Sequence, residues 1–292
     1  MDILTKIKQL IVRADIPTKL IYINVVIWLL IRLIVVLFTL FQVEGANFIQ
    51  YLQMPSSYGL FLYRPWTAIT YMFVHYDGLH ILFNMLWLYW FGRLFLRFFT
   101  VRQFVGLFLC GGILGALFFL FSYNIFPYFR HIGGISYLMG ASAAVMAIVF
   151  AAAFYRKNYE INLLIIGHIK LIYIAIFALT IDLLSIVSAN AGGHIAHIGG
   201  ALFGFLFATQ LQRGKDLTHA INRLIDRIAN FRKPHRPRMK VTYQRPESDF
   251  EYNMRKRKES DTIDEILDKL KQFGYQSLSS EEKKALFDAS KR

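Results

Sequence analysis

Six apolar stretches crowd the first 212 positions of this 292-residue chain, and no other feature constrains its fold as tightly. They run Leu20–Phe41, Leu79–Leu96, Gln103–Tyr123, Tyr137–Phe154, Leu171–Val187 and His194–Leu211. A bilayer-crossing helix needs roughly 20 mostly apolar residues, and each stretch is close to that length. The first is too long for a signal-peptide core and no small-residue cleavage site follows it, so it reads as a retained span. Charge is segregated to match. Residues 1–212 hold 13 of the 33 Lys and Arg and 6 of the 19 Asp and Glu, and residues 213–292 hold the rest. That division excludes a single water-soluble globular enzyme. Cys110 is the only cysteine, which excludes a disulfide scaffold. No nucleic-acid partner is expected, because half of the net charge of +14 sits beside membrane spans, where positive charge has its own explanation.

Flanking Lys and Arg set the orientation. Lys6, Lys8, Arg13 and Lys19 precede the first span, and only Arg64 follows it. Arg93, Arg97 and Arg102 follow the second, Arg130 the third, and Arg156, Lys157 and Lys170 the fourth. The connection after the fifth span has none, and the tail after the sixth is strongly basic. This alternation predicts six spans with both termini in the cytoplasm. Two charges interrupt the apolar stretches, Arg32 in the first and Asp182 in the fifth. Arg32 is expected to snorkel to the interface, and Asp182 to bond a neighbouring helix.

Polar groups are costly in lipid, so their placement carries information. His75, His80 and Asn84 lie at the opening of span 2, Gly140 and Ser142 in span 4, and His194 and His197 in span 6. All three spans enter from the non-cytoplasmic side. Ser142 and Asn84 are about five residues in and His197 about three, which at 1.5 Å per residue places them roughly 5–10 Å below the outer surface. Small residues would let these helices approach. Span 6 carries Ala196, Gly199, Gly200 and Gly204, and span 4 carries Gly140, Ala143, Ala144 and Ala147.

The chemistry follows from the residue types. Ser142 would attack a carbonyl, with His197 as general base. The oxyanion would form at the N-terminus of span 4, against the Ser142 N–H and the helix dipole. His80 and Asn84 share one face of span 2 at i,i+4 and can donate to the same oxyanion. No Asp or Glu is expected at this depth to orient His197, so the reading is a Ser–His dyad and not a triad.

Taken together, these motifs resemble those of the rhomboid family of intramembrane serine proteases, over about residues 50–210. His75-x4-His80-x3-Asn84-Met85, Gly140-Ala141-Ser142 and Ala196-His197-Ile198-Gly199-Gly200-x3-Gly204 match its three motifs in their usual order. The resemblance implies an all-α, six-span bundle and a Ser142–His197 dyad, with an oxyanion site at the Ser142 N–H, His80 and Asn84. It implies cleavage of single-span membrane proteins near the outer face of a bacterial inner membrane, without metal or cofactor. Gly140, His75, His194, Gly200 and Gly204 would support the site. The chain departs from the family at Ala143, where Gly usually follows the serine, and at Met146, where Tyr or Phe is common. Its first loop has Trp66-Thr67 where Trp-Arg is common, with Arg64 two residues before Trp66. A catalytically inactive relative that binds client membrane helices is the alternative. A metal hydrolase built on His75, His80, His194 and His197 finds no HExxH string, and a transporter finds no internal repeat.

The domain reading is a cytoplasmic tail at 1–19, the six-span unit at 20–212, a basic amphipathic helix at 213–232, a disordered linker at 233–260 and a helical hairpin at 261–292. Loop 1, about residues 42–78, carries Phe61, Leu62, Trp66, Tyr71, Met72 and Phe73, which suit the outer interface. Leu217, Ile221, Leu224, Ile225 and Ile228 share one face of the amphipathic helix, with Arg223, Arg227, Arg232 and Lys233 around the rest. That pattern suits anionic lipid on the cytoplasmic leaflet. The linker holds Pro234, Pro237 and Pro246 and the run Arg255-Lys256-Arg257-Lys258.

Overall fold

The computed structural model describes residues 5, 9, 11–43, 46–131, 134–163, 167–230 and 248–290. It divides into two compact units, Met1–Lys233 and Pro234–Arg292. The first unit begins with α1 (Ile16–Leu40), a 3-10 segment (Ala46–Tyr51), β1 (Met54–Pro55), α2 (Tyr58–Tyr63) and α3 (Thr67–Thr70). It continues with α4 (Gly78–Phe95), α5 (Val101–Ile125), α6 (Pro127–Arg130), β2 (Tyr137–Leu138) and α7 (Ser142–Tyr155). The strands β3 (Glu160–Leu163) and β4 (Gly167–Lys170), then α8 (Leu171–Leu184), α9 (Ala191–Gln212) and α10 (His219–Asn230), complete it.

Among the described residues, three helices are long and apolar enough to cross a membrane: α1, α5 and α9. Length and composition thus support three of the six expected crossings. Helices α7 and α8 have 14 residues each, which is roughly 21 Å of helix against a hydrocarbon core of about 30 Å. The reading of Tyr137–Phe154 as one span also changes. Tyr137 and Leu138 are extended and pair with Pro55 and Met54, and Gly140 at φ +114° breaks the chain before the helix. Ser142 is therefore the first residue of α7, not the fifth or sixth of a span. The expectation of an all-helical chain is corrected by this ladder and by the β3–β4 hairpin, in which Glu160 pairs with Lys170 and Leu163 with Gly167.

Local signals fix the helix ends. Asp15 caps α1, accepting from the Thr18 N–H at 3.0 Å, with a proline in the first turn. The same carboxylate takes Arg93 Nε of α4 at 2.9 Å, so α1 and α4 lie antiparallel with these ends together. A Thr100–Gln103 capping box opens α5. Loop 1 is wedged inward more than expected. Tyr71 and Met72 are fully buried, while Leu62 and Trp66 stay exposed. The Tyr71 hydroxyl donates to the Gly112 carbonyl at 2.7 Å.

Helix α7 is the centre of the unit, with every side chain from Ala143 to Ala153 buried. It is flanked by backbones brought close by missing side chains. A Cβ on Gly200 would strike the Ala143 carbonyl, and one on Gly204 the Ala147 carbonyl, so α9 runs parallel to α7 in that register. On the other side Gly115 faces Ala143 and Gly111 faces Ala147, so α5 runs antiparallel. Because the obstruction is backbone, it cannot rotate away. Gly200→Val is expected to cost about 1–3 kcal/mol through overpacking, read as a lower unfolding midpoint in detergent, with the exposed Leu202→Ala as the near-neutral control.

The second unit holds α11 (Asp249–Phe273) and α12 (Ser280–Ala289), joined through Gly274 at φ +80°. Residues 249–260, expected within a disordered linker, are helical, because a Ser248–Glu251 capping box starts α11 beyond the last proline. Residues 233–247 lie outside the described residues. Lys269 of α11 pairs with Glu282 of α12 at 2.9 Å. The Ser279 N–H holds the Glu282 carboxyl below its ordinary 4.5, with Lys269 adding to the effect. A depressed carboxylate stabilises the fold above the ordinary value, and the contribution is lost as pH falls below it. Ser279→Ala is expected to cost α12 about 1 kcal/mol, and acidification through that window should fray the same helix. Amide hydrogen exchange over 280–289 checks both.

Candidate active site

The N-terminal ends of α4, α7 and α9 meet at one end of the first unit. The α7–α9 register sets two of them level: Gly200 sits on Ala143, so Ser142 and His197, one turn before Gly200, lie at the same end. Ser142 occupies the first helical position, where the helix leaves backbone N–H groups without internal partners. His197 is the seventh residue of α9 and Asn84 the seventh of α4.

Gly140 shapes the space beside Ser142. The point that a Cβ on Gly140 would occupy is 2.8 Å from His80 Nε2 and 3.8 Å from Ser142 Oγ. Only a residue without a side chain leaves that notch open, and its φ of +114° also favours glycine. The Gly140 N–H donates to the Tyr71 carbonyl at 2.9 Å, which seats the turn on loop 1. His80 Nδ1 accepts from the Tyr76 N–H at 3.3 Å. In a neutral imidazole this leaves the proton on Nε2, directed at the notch. Asp77 caps α4 by accepting from the His80 N–H at 2.8 Å. His75 Nε2 accepts from the Ala141 N–H at 3.4 Å, and its ring lies edge-on to His80 at 5.1 Å. His75 thus steadies the residue immediately before the serine.

Asn84 already has one partner on its own helix. Its amide donates to the His80 carbonyl at 2.9 Å, one turn back on its own helix. One amide hydrogen therefore remains for any other acceptor. Between Ser142 and His197 the described residues make no hydrogen bond. The departure at Ala143 is accommodated away from the notch, because its methyl fills the place where Gly115 lacks a side chain. Met146, at the second departure, is buried.

Sequence reasoning missed two features. It expected no carboxylate near His197, yet Asp182 lies there. Asp182 Oδ1 is 2.8 Å from Nδ1 of both His194 and His197. Asp182 does bond a neighbouring helix, but through the histidines of the site. The available signal was its position near the outgoing end of α8, which turns directly into α9. It also missed the part played by Gly111 and Gly115, a small-residue pair at spacing four in span 3.

The ligand atoms of Asp182, His194 and His197 lie within 4.8 Å of one another, and a two-histidine, one-carboxylate set suits zinc. The N–O separations of 2.8 Å are hydrogen-bond lengths. Two ligands on one tetrahedral zinc stand about 3.3 Å apart given zinc–ligand bonds of about 2.0–2.1 Å. In this geometry the three groups form a hydrogen-bonded cluster.

Comparison with known proteins agrees with the helical framework. The Rhomboid domain family model matches residues 63–213. A second model, a family of unknown function (DUF6576), matches residues 248–292. RHOMBOID-like protein 12, mitochondrial, of Arabidopsis thaliana is 28% identical over 161 residues, covering 52% of this chain and 48% of that protein. The chain thus matches about half the length of this curated relative. The relative's name is mitochondrial, so it lends no support to the expected bacterial inner membrane. With the family model spanning 63–213, the chain belongs to the rhomboid family and is an integral membrane protein.

Proposed function

We propose that the chain is an intramembrane serine endopeptidase that cuts transmembrane segments of other membrane proteins. The observation that carries this reading is the notch at Gly140, where Ser142 Oγ and His80 Nε2 approach one point. Ser142 is the nucleophile and His197 its general base. The tetrahedral oxyanion occupies the notch. It accepts from the Ser142 N–H, from His80 Nε2–H and from the amide hydrogen of Asn84 left over from its bond to His80. Substrate binding closes the Ser142–His197 hydrogen bond, since such bonds are often long in unliganded sites and tighten on binding. The leaving amine then takes its proton from His197, and water repeats the sequence on the acyl-enzyme.

In the same proposal α4, α7 and α8 join α1, α5 and α9 to make six crossings. The termini are cytoplasmic and the notch opens to the outer face. The short α7 leaves its first residue recessed in the unit, where water can enter. Substrates would be helices that unwind near that face, because an intact helix hides its carbonyls from attack. The basic helix α10 would rest on anionic lipid, with Leu224 and Ile228 exposed toward it.

The test uses purified full-length chain in liposomes with a panel of single-span substrates. Ser142→Ala and His197→Ala are each expected to lower cleavage by about 10³-fold or more, and a chelator should leave it intact. Loss on chelation would favour metal chemistry. No cleavage by folded protein, with Ser142 unreactive to a fluorophosphonate probe, would overturn the reading in favour of a client-binding role. Gly140→Ala should separate geometry from nucleophile. Its methyl would enter the notch and meet His80, so turnover is expected to fall about 10²-fold, with a stability cost of about 1–3 kcal/mol.

A further inference from the structure

Asp182 is the only charged residue in α8, whose sequence LIYIAIFALTIDLL is otherwise apolar apart from one threonine. It is buried, with 5% of its surface exposed. Burying a carboxylate is costly unless it is paired and hydrogen-bonded. Both of its partners are histidines of α9, and one of them is the base in the reading above. His194 and His197 stand at i,i+3 on one face of α9, and both rings turn Nδ1 toward the same oxygen at 2.8 Å.

We infer that Asp182 is a positioning residue for His197, standing behind the Ser142–His197 pair. This rests on the proposed protease function. An ionised carboxylate only accepts hydrogen bonds, so His197 must present Nδ1–H to it. Nε2 then carries the lone pair. That is the nitrogen on the far side of the ring from α8, and a base needs it free to take the serine proton. The carboxylate also stabilises the imidazolium formed when that proton arrives, without itself becoming protonated. A free imidazole rotates and exchanges tautomers. Here one bond, to a helix that packs against both α7 and α9, fixes rotation and tautomer together. His194 shares the oxygen and adds a second N–H to it, which helps keep the carboxylate anchored after His197 becomes charged.

The test reads the tautomer directly and turnover separately. Full-length protein labelled with ¹⁵N at histidine is examined by NMR in detergent, and His194→Gln and His197→Gln assign the two rings. His197 is expected as the Nδ1–H tautomer in the wild type, and Asp182→Ala should lose that preference. In the cleavage assay Asp182→Ala should reduce kcat by about 10²–10⁴-fold with KM nearly unchanged. Asp182→Glu, which retains the carboxylate on a longer arm, should restore part of it. A wild-type His197 protonated on Nε2, a tautomer indifferent to Asp182→Ala, or a folded Asp182→Ala with wild-type kcat would each overturn the inference. If Asp182→Ala unfolds, Asp182→Asn takes its place, keeping the shape and removing the charge. A wild type with the expected tautomer and no cleavage would count against the protease function alone.

Discussion

Where α7 meets α9, backbone carbonyls press against carbons that bear no side chain, and the membrane unit depends on that approach. Gly200 and Gly204 set the distance on one side of α7, and Gly111 and Gly115 on the other. In lipid there is no hydrophobic drive between apolar helices, so close van der Waals contact must hold them together. Such contact is available only where side chains are absent. One consequence is that helix spacing and site geometry are the same quantity. The contact that packs α9 onto α7 also levels His197 with Ser142. The Ala143 methyl shows the same economy, since it is housed by Gly115 of the third helix in the stack.

Much of this was legible in the sequence, and for identifiable reasons. Gly and Ala at spacing four, polar residues at the opening of apolar runs, and alternating basic flanks are local signals of strong physical constraints. They led to the helices and to His80, Ser142 and His197 at one end. The boundaries were less legible. Hydropathy does not see that Tyr137–Leu138 is extended, because an apolar strand and an apolar helix read alike. That places Ser142 at a helix start, where backbone N–H groups lack partners within the helix, and not inside a span. Asp182 was misjudged because depth was counted only from helices entering the outer side. A residue near the C-terminal end of α8 reaches the same level as the N-terminal end of α9. In the tail, three prolines and a basic run suggested disorder, and the capping box at Ser248 that starts a long helix went unread.

The histidines divide their work by which ring nitrogen is already occupied. His75 uses Nε2 to hold the Ala141 N–H, and His80 uses Nδ1 to hold the Tyr76 N–H. His194 and His197 use Nδ1 toward Asp182. Each is committed on one side, and the opposite nitrogen is therefore defined. Four identical side chains in one small region thus present different faces, as donors or acceptors, because the backbone and one carboxylate have made the choice for them.

The two-residue ladder between Met54–Pro55 and Tyr137–Leu138 has a consequence for the order of assembly. It joins segments more than 80 positions apart. Contacts at that separation must meet their loop-closure entropy before they return any stability. The turn that carries Gly140 and seats Ser142 also leans on the Tyr71 carbonyl from the same distant loop. The neighbouring helices can find one another through their small faces, but the seat of the serine needs loop 1 in place. A nascent chain would thus hold Ser142 in an unfinished setting until the bundle around it is built.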